Sequence, residues 1–130
     1  MCIRDSIAQV GFLVGTGSRF YDPYACELTD TLMIEFDGDR IIDLKGSARD
    51  VAVATAHYTR VGEMFDIDPW FVHSWHGGIH PGCAHPRRAS EDLARWANAA
   101  FGNPRLMHIH TCGAYAVSYT HLTLPTIYSV

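Results

Sequence analysis

Long apolar runs are missing from this chain. None approaches the ~18 residues that a bilayer-spanning helix needs, so a transmembrane helix is excluded. A basic stretch ahead of an apolar core is also missing, and no secretory leader is expected. Basic residues are few, 10 Lys and Arg against 14 Asp and Glu, for a formal net charge of −4. With no basic cluster among them, nucleic acid is not an expected partner. Cysteine is sparse: Cys2, Cys26, Cys83 and Cys112 are widely spaced and form no CxxC pair. That spacing indicates neither a zinc knuckle nor a disulfide framework, and it fits free thiols in a reducing cytoplasm. Disorder is excluded by what is plentiful, since 48% of the 130 residues are hydrophobic and 12% aromatic. The length suits one modest domain.

The two ends share an origin. Met1–Ser6 can be encoded by a DNA whose reverse complement reads Val-Ser-Tyr-Thr-His, and those residues stand at Val117 to His121. The pair resembles the transposon end used in sequencing-library preparation, translated in both directions, with Leu122-Thr123-Leu124-Pro125-Thr126 continuing it. Residues 1–6 and 117–130 are therefore read as adapter-derived, leaving 7–116 as one partial domain. Within it remain seven of the eight histidines, six of them from His73 to His110. This clustering is the one compositional oddity of the chain.

Patterning predicts a mixed α+β fold. Val10–Val14 reads as a short strand and Gly15-Thr16-Gly17-Ser18 as a turn, without the Lys of a phosphate loop. Thr31–Phe36 and Arg40–Leu44 read as a β-hairpin around Asp37-Gly38-Asp39, whose glycine supplies the positive φ of a tight turn. Ser47-x-x-Asp50 resembles a capping box. Behind it Val51, Ala54, Thr55, Tyr58, Val61 and Phe65 recur at helical spacing, predicting an amphipathic helix over Ala48–Met64 that Asp66–Pro69 ends. Trp70-Phe71-Val72 reads as a short buried strand, and His73 to Cys83, rich in Gly and Pro, as a loop. Ser90 caps a second helix reaching Ala100, Gly102-Asn103-Pro104 breaks it, and Arg105–Thr111 alternates as a strand.

Two groups of residues point to chemistry. Neutral imidazole is the commonest biological metal ligand, and the His73–Cys83 loop carries His73, His76 and His80 within eight residues. Gly77 and Gly78 beside them permit close approach to a bound group, and Trp75 is a candidate pocket wall. The second group is His108-Ile109-His110. Residues two apart on a strand face one side, so both imidazoles could serve Zn2+ or Fe2+, given a third ligand. Glu35, Asp66 and Asp68 are the carboxylates that could complete a two-His site, although Asp66 and Asp68 also suit a helix-ending turn. The bland alternative is that the histidines only hold loop carbonyls.

Hairpin, helix, Asp68-Pro69, short strand, Ser74-Trp75-His76-Gly77-Gly78 and Ala100-Phe101-Gly102-Asn103 follow one another in an order that resembles a known family. That family is the 2,5-dihydroxypyridine ring-cleaving dioxygenases in their C-terminal half, similar in fold to the thermophilic leucyl-type metalloaminopeptidases. The resemblance implies a Ser-His-x-Gly-x-Gly loop with His76 as a metal ligand, and a divalent metal, Fe2+ or Zn2+. This chain departs from the pattern, and the Leu-Gly-Glu ligand motif of the aminopeptidases is missing before the loop. One residue separates Ser74 from His76, His80 stands at the second glycine, and His108 and His110 have no counterpart. The family's His-x-Asp would lie beyond Ala116.

The expected parent is thus a cytoplasmic metal-dependent enzyme acting on a small molecule or a peptide, either an oxygenase or an aminopeptidase. This chain, short of the His-x-Asp, is expected to be inactive. A metallohydrolase built on His108 and His110, or a non-catalytic metal-binding or structural domain, is the alternative. Uncovered apolar faces are expected to favour a homo-oligomer.

Overall fold

The computed structural model describes residues 4–14, 22–83, 86–88 and 90–111. The Gly15–Ser18 turn lies outside them. The chain divides into two compact units with the boundary between Phe71 and Val72. The fold is mixed α+β with small antiparallel sheets, as the patterning predicts. Among the described residues no helix is long and apolar enough to cross a membrane.

The first unit is built on a three-stranded sheet. Strands β1 (Arg4–Gln9), β4 (Leu32–Asp37) and β5 (Arg40–Lys45) run in the order β1-β4-β5, all antiparallel. The hairpin forms where the sequence predicts it. Of its two turn residues only the first, Gly38, has positive φ, at +59°, the pattern of a type II′ turn. Leu32, Ile34 and Phe36 alternate inward and are buried. On β5 the inward residues are Ile41 and Leu44, three apart, which strict alternation would send to opposite faces. A bulge solves this: the register shifts between Glu35 and Phe36, so Phe36 faces Ile41 while Glu35 faces Asp43.

Strand β1 begins before the expected native boundary at Ile7, with Arg4 opposite Asp37 and Ser6 opposite Glu35. Edge pairing is made by backbone groups, and Asp5 and Ser6 are exposed, so side-chain identity matters little there. Strands β2 (Phe12–Val14) and β3 (Ala25–Glu27) form a separate ribbon with Leu13 opposite Cys26.

Helix α1 (Ala48–Phe65) matches the prediction within one residue. Ser47 caps it by accepting the Asp50 amide at 3.2 Å, but the reciprocal half of the capping box is not made. Asp50 is fully buried and its carboxylate turns to the Thr29–Asp30 turn instead. It accepts from the Asp30 amide at 2.8 Å, from the Thr29 amide and hydroxyl at 3.2 Å, and from Arg49 at 2.6 Å. Burial alone would raise this carboxyl, but these donors outweigh it and hold it well below the usual carboxylate range.

The buried stripe of α1 is Asp50, Ala54, Tyr58 and Gly62, rather than the stripe ending at Phe65 that the periodicity suggests. Phe65 is 45% exposed. Pro69 decides this, because it comes so near Gly62 that a Cβ there would meet its ring at 2.9 Å. The helix ends at Asp66, in the left-handed region at φ 51°, as the Asp-Pro stretch predicts.

The second unit carries β6 (Val72–Gly77), a 3-10 turn at Pro81–Cys83, α2 (Leu93–Gly102) and β7 (Met107–Thr111). It departs from the sequence expectation at two places. The segment from His73 to Gly77 is a strand and not a loop, because Gly and Pro are confined to its far end and β7 pairs with it. Asp92 caps α2 rather than Ser90, accepting the Arg95 amide at 3.1 Å. The helix ends at Gly102 and Asn103, as predicted.

Candidate functional site: a cluster of four imidazoles

Strands β6 and β7 pair antiparallel, with His76 opposite His108, Trp75 opposite Ile109 and Ser74 opposite His110. Alternation then puts Ser74, His76, His108 and His110 on one face and Trp75 and Ile109 on the other. His73 would face away, but the register shifts between Val72 and Ser74, which makes it the extra residue of a bulge. Its ring reaches the same face and stacks on His110 at 5.9 Å between centroids.

Three rings form a tight triangle. Centroids are 5.0 Å apart for His76 and His108, 4.6 Å for His76 and His110, and 5.3 Å for His108 and His110. His76 and His108 lie nearly parallel, at 9°, and the other two pairs are tilted by 36°. The Ser74 hydroxyl sits between two of the imidazoles, 2.9 Å from His73 Nδ1 and 2.8 Å from His76 Nε2.

Burial and mutual repulsion disfavour the protonated forms of His76, His108 and His110. The imidazolium of His110 is pushed down to about 4, first by burial and then by positive charge on His76, His108 and His73. Burial, followed by charge on His76, lowers His108, whose two ring nitrogens are both buried. His76 is lowered by burial and then by charge on His73. At neutral pH His76, His108 and His110 therefore present unprotonated imidazoles, the form that ligates metal ions.

The structure thus brings together His73, His76, His108 and His110 from the two sequence motifs, and an all-imidazole donor set results. As the rings stand, with faces stacked, no three His, Cys, Asp or Glu groups among the described residues converge on one point that would hold an ion. His80 is not gathered in: among the described residues no ring contact joins it to the four. Its amide donates to the Gly102 carbonyl at 2.9 Å and its Nδ1 accepts the Gly82 amide at 3.1 Å, a loop-holding role.

Trp75, expected to wall the pocket, stands on the opposite face and is 44% exposed. Gly78 permits a close approach, but to the backbone at Gly102 and Asn103, whereas a Cβ at Gly77 would meet nothing. The carboxylates weighed beside the site are occupied in the first unit. Asp68 pairs with Arg40 at 2.7 Å and accepts the Trp70 amide, Asp66 caps α1, and Glu35 pairs with Lys45.

Sequence reasoning overlooked Ser74 as a member of the site. The signal was there in Ser74-x-His76, which shares a face once the segment is read as a strand.

No family model, curated protein or solved structure matches this chain.

Proposed function

We propose that the second unit binds a divalent transition-metal ion through His76, His108 and His110. The observation that carries this reading is the ring triangle. Three imidazoles held tetrahedrally, with metal–nitrogen bonds of ~2.0–2.1 Å, have ring centres roughly 5 Å apart. The separations here are 5.0, 4.6 and 5.3 Å. The ring spacing is therefore suited to the ion, and what capture requires is rotation of the rings out of their stack about side-chain torsions.

Neutral donors add support, because few protons need displacing at pH 7. A bound ion with three protein ligands and an open position supplies Lewis acidity and can lower the pKa of a bound water toward ~7. An all-imidazole set favours the metallohydrolase branch over a two-His, one-carboxylate iron oxygenase. The fold keeps His108 and His110 two apart on β7 and holds His76 across from them by strand register.

Titration of the metal-free chain with Co2+, followed by visible absorption and calorimetry, tests this. Wild-type protein is expected to develop the intense bands of a tetrahedral site. His76→Ala, His108→Ala and His110→Ala should each weaken binding by about 10-fold or more, while His57→Ala in the first unit should not. Equal affinities across all four variants would remove the triad from the site.

A further inference from the structure

We propose that the outer edge of β5 and the groove between it and α1 receive an extended peptide as an added strand. Its apolar side chains turn into the groove, and a Lys or Arg stands beside Asp43. The site lies wholly in the first unit and is independent of any metal.

Sheet order leaves β5 on an edge. This edge already takes a strand, but only at its first two residues. The Ile41 amide donates to the Trp70 carbonyl at 2.8 Å, and Arg40 bridges antiparallel to Phe71. The addition stops there because the next residue due is Pro69, which has no N–H and whose ring packs against Gly62. Farther along, the Leu44 amide donates to the carboxylate of Asp43 at 2.9 Å, a contact within the strand that a neighbouring backbone can replace. Such an edge is a template for another strand. Extended peptides are recognised on it by main-chain hydrogen bonds, with side-chain pockets alongside.

A pocket lies in the right place. Ile42, Leu44, Val51, Thr55 and Trp70 line an open groove of about 370 Å³ beside the edge. That volume is at the small end of binding pockets and takes a few side chains, not a folded surface. Ile42 is 46% exposed, and Thr55 is exposed as well. Charge narrows the occupant further. Glu35 and Asp43 stand directly opposite each other across β4 and β5, an unfavourable like-charged pair. Lys45 pairs with Glu35 and lies 3.7 Å from Asp43, so two carboxylates share one ammonium. One negative charge is left over beside the edge, and a cationic residue on the added strand answers it. When a peptide carbonyl takes the Leu44 amide, the Asp43 carboxylate is released to meet that cation.

The test is NMR of the 15N-labelled full chain titrated with the acetylated, amidated hexapeptide Val-Thr-Val-Lys-Val-Thr. Saturable shifts are expected at the Ile42, Asp43 and Leu44 amides and the Trp70 indole. Antiparallel pairing uses every second amide of an added strand. Methylating the three Val nitrogens or, separately, the other three should therefore weaken binding about 10-fold in one case and hardly at all in the other. Equal affinity for the two forms would mean unspecific apolar contact and would overturn the proposal. Replacing the probe's Lys by Glu should weaken binding about 3-fold, and Asp43→Lys should reverse that preference. Thr55→Trp, at an exposed helix position, fills the groove and should abolish the shifts. Full binding by this variant, or wild-type amides that do not move, overturns the proposal. So does a concentration-dependent dimer whose shifts fall on the same residues, which would assign the edge to a second copy of this chain.

Discussion

Acid should destabilise the metal-free protein well above the pH at which carboxylates titrate, and His110 should account for much of the effect. Its folded pKa of about 4 lies below the 6.5 of an unperturbed imidazole. Between those values the unfolded chain binds more protons, so stability rises with pH, is complete above about 6.5, and is lost as pH falls toward 4. The full separation corresponds to about 3 kcal/mol. By about pH 5 roughly 2 kcal/mol of it is expressed, and solvent reaching the half-open ring screens this to about 1 kcal/mol. His76 and His108 are lowered for the same reasons and add in the same direction. Asp50 acts in a lower window, since its depressed carboxyl contributes stability that is lost only as pH falls below about 4.

The assay is denaturant unfolding in the presence of a chelator at about pH 7.5 and about pH 5. Wild-type protein is expected to lose about 1 kcal/mol or more across this interval, and His110→Gln to lose distinctly less. Histidine proton shifts followed by NMR supply the second readout. A His110 midpoint near 6.5, or a wild-type stability that does not change over the interval, would refute the reasoning.

Two other outcomes test the local physics. Ser47→Ala removes the acceptor for the Asp50 amide and should cost about 1 kcal/mol in unfolding free energy, with Ser47→Asp retaining most of it. Gly78→Ala drives a methyl group into the Gly102 backbone and should cost about 1–3 kcal/mol, while Gly77→Ala, with open space, should stay within about 0.5 kcal/mol. Similar thermal shifts for the two glycine variants would contradict the close approach at Gly78.

Elements fixed by neighbours in sequence are legible in the chain itself. The hairpin at Gly38 needs only a turn residue between alternating runs, and α1 needs only Ser47, a periodic face and Asp66 to Pro69 to bound it. A shared face for His108 and His110 follows in the same way from the two-residue period of a strand.

What depends on a distant partner is not legible there. Strand β6 is masked because Gly and Pro crowd its far end and the bulge at His73 breaks the alternation that marks a strand. The apolar count points to Phe65 on the buried stripe of α1, but contact with Pro69 makes Gly62 the last buried residue. Composition likewise cannot show that Asp50 answers the Thr29–Asp30 turn, 20 residues upstream.

For the site itself the division is sharp. Which residue types are available, and that two of them share a strand face, follows from the chain alone. Tertiary pairing decides that His76 joins them and His80 does not. Strand register sets His76 across from His108 at 5.0 Å, while hydrogen bonds to Gly82 and Gly102 hold His80 in the loop beyond. Imidazoles cooperate through separations of a few ångströms, and between residues 32 positions apart only the pairing of two strands determines that separation.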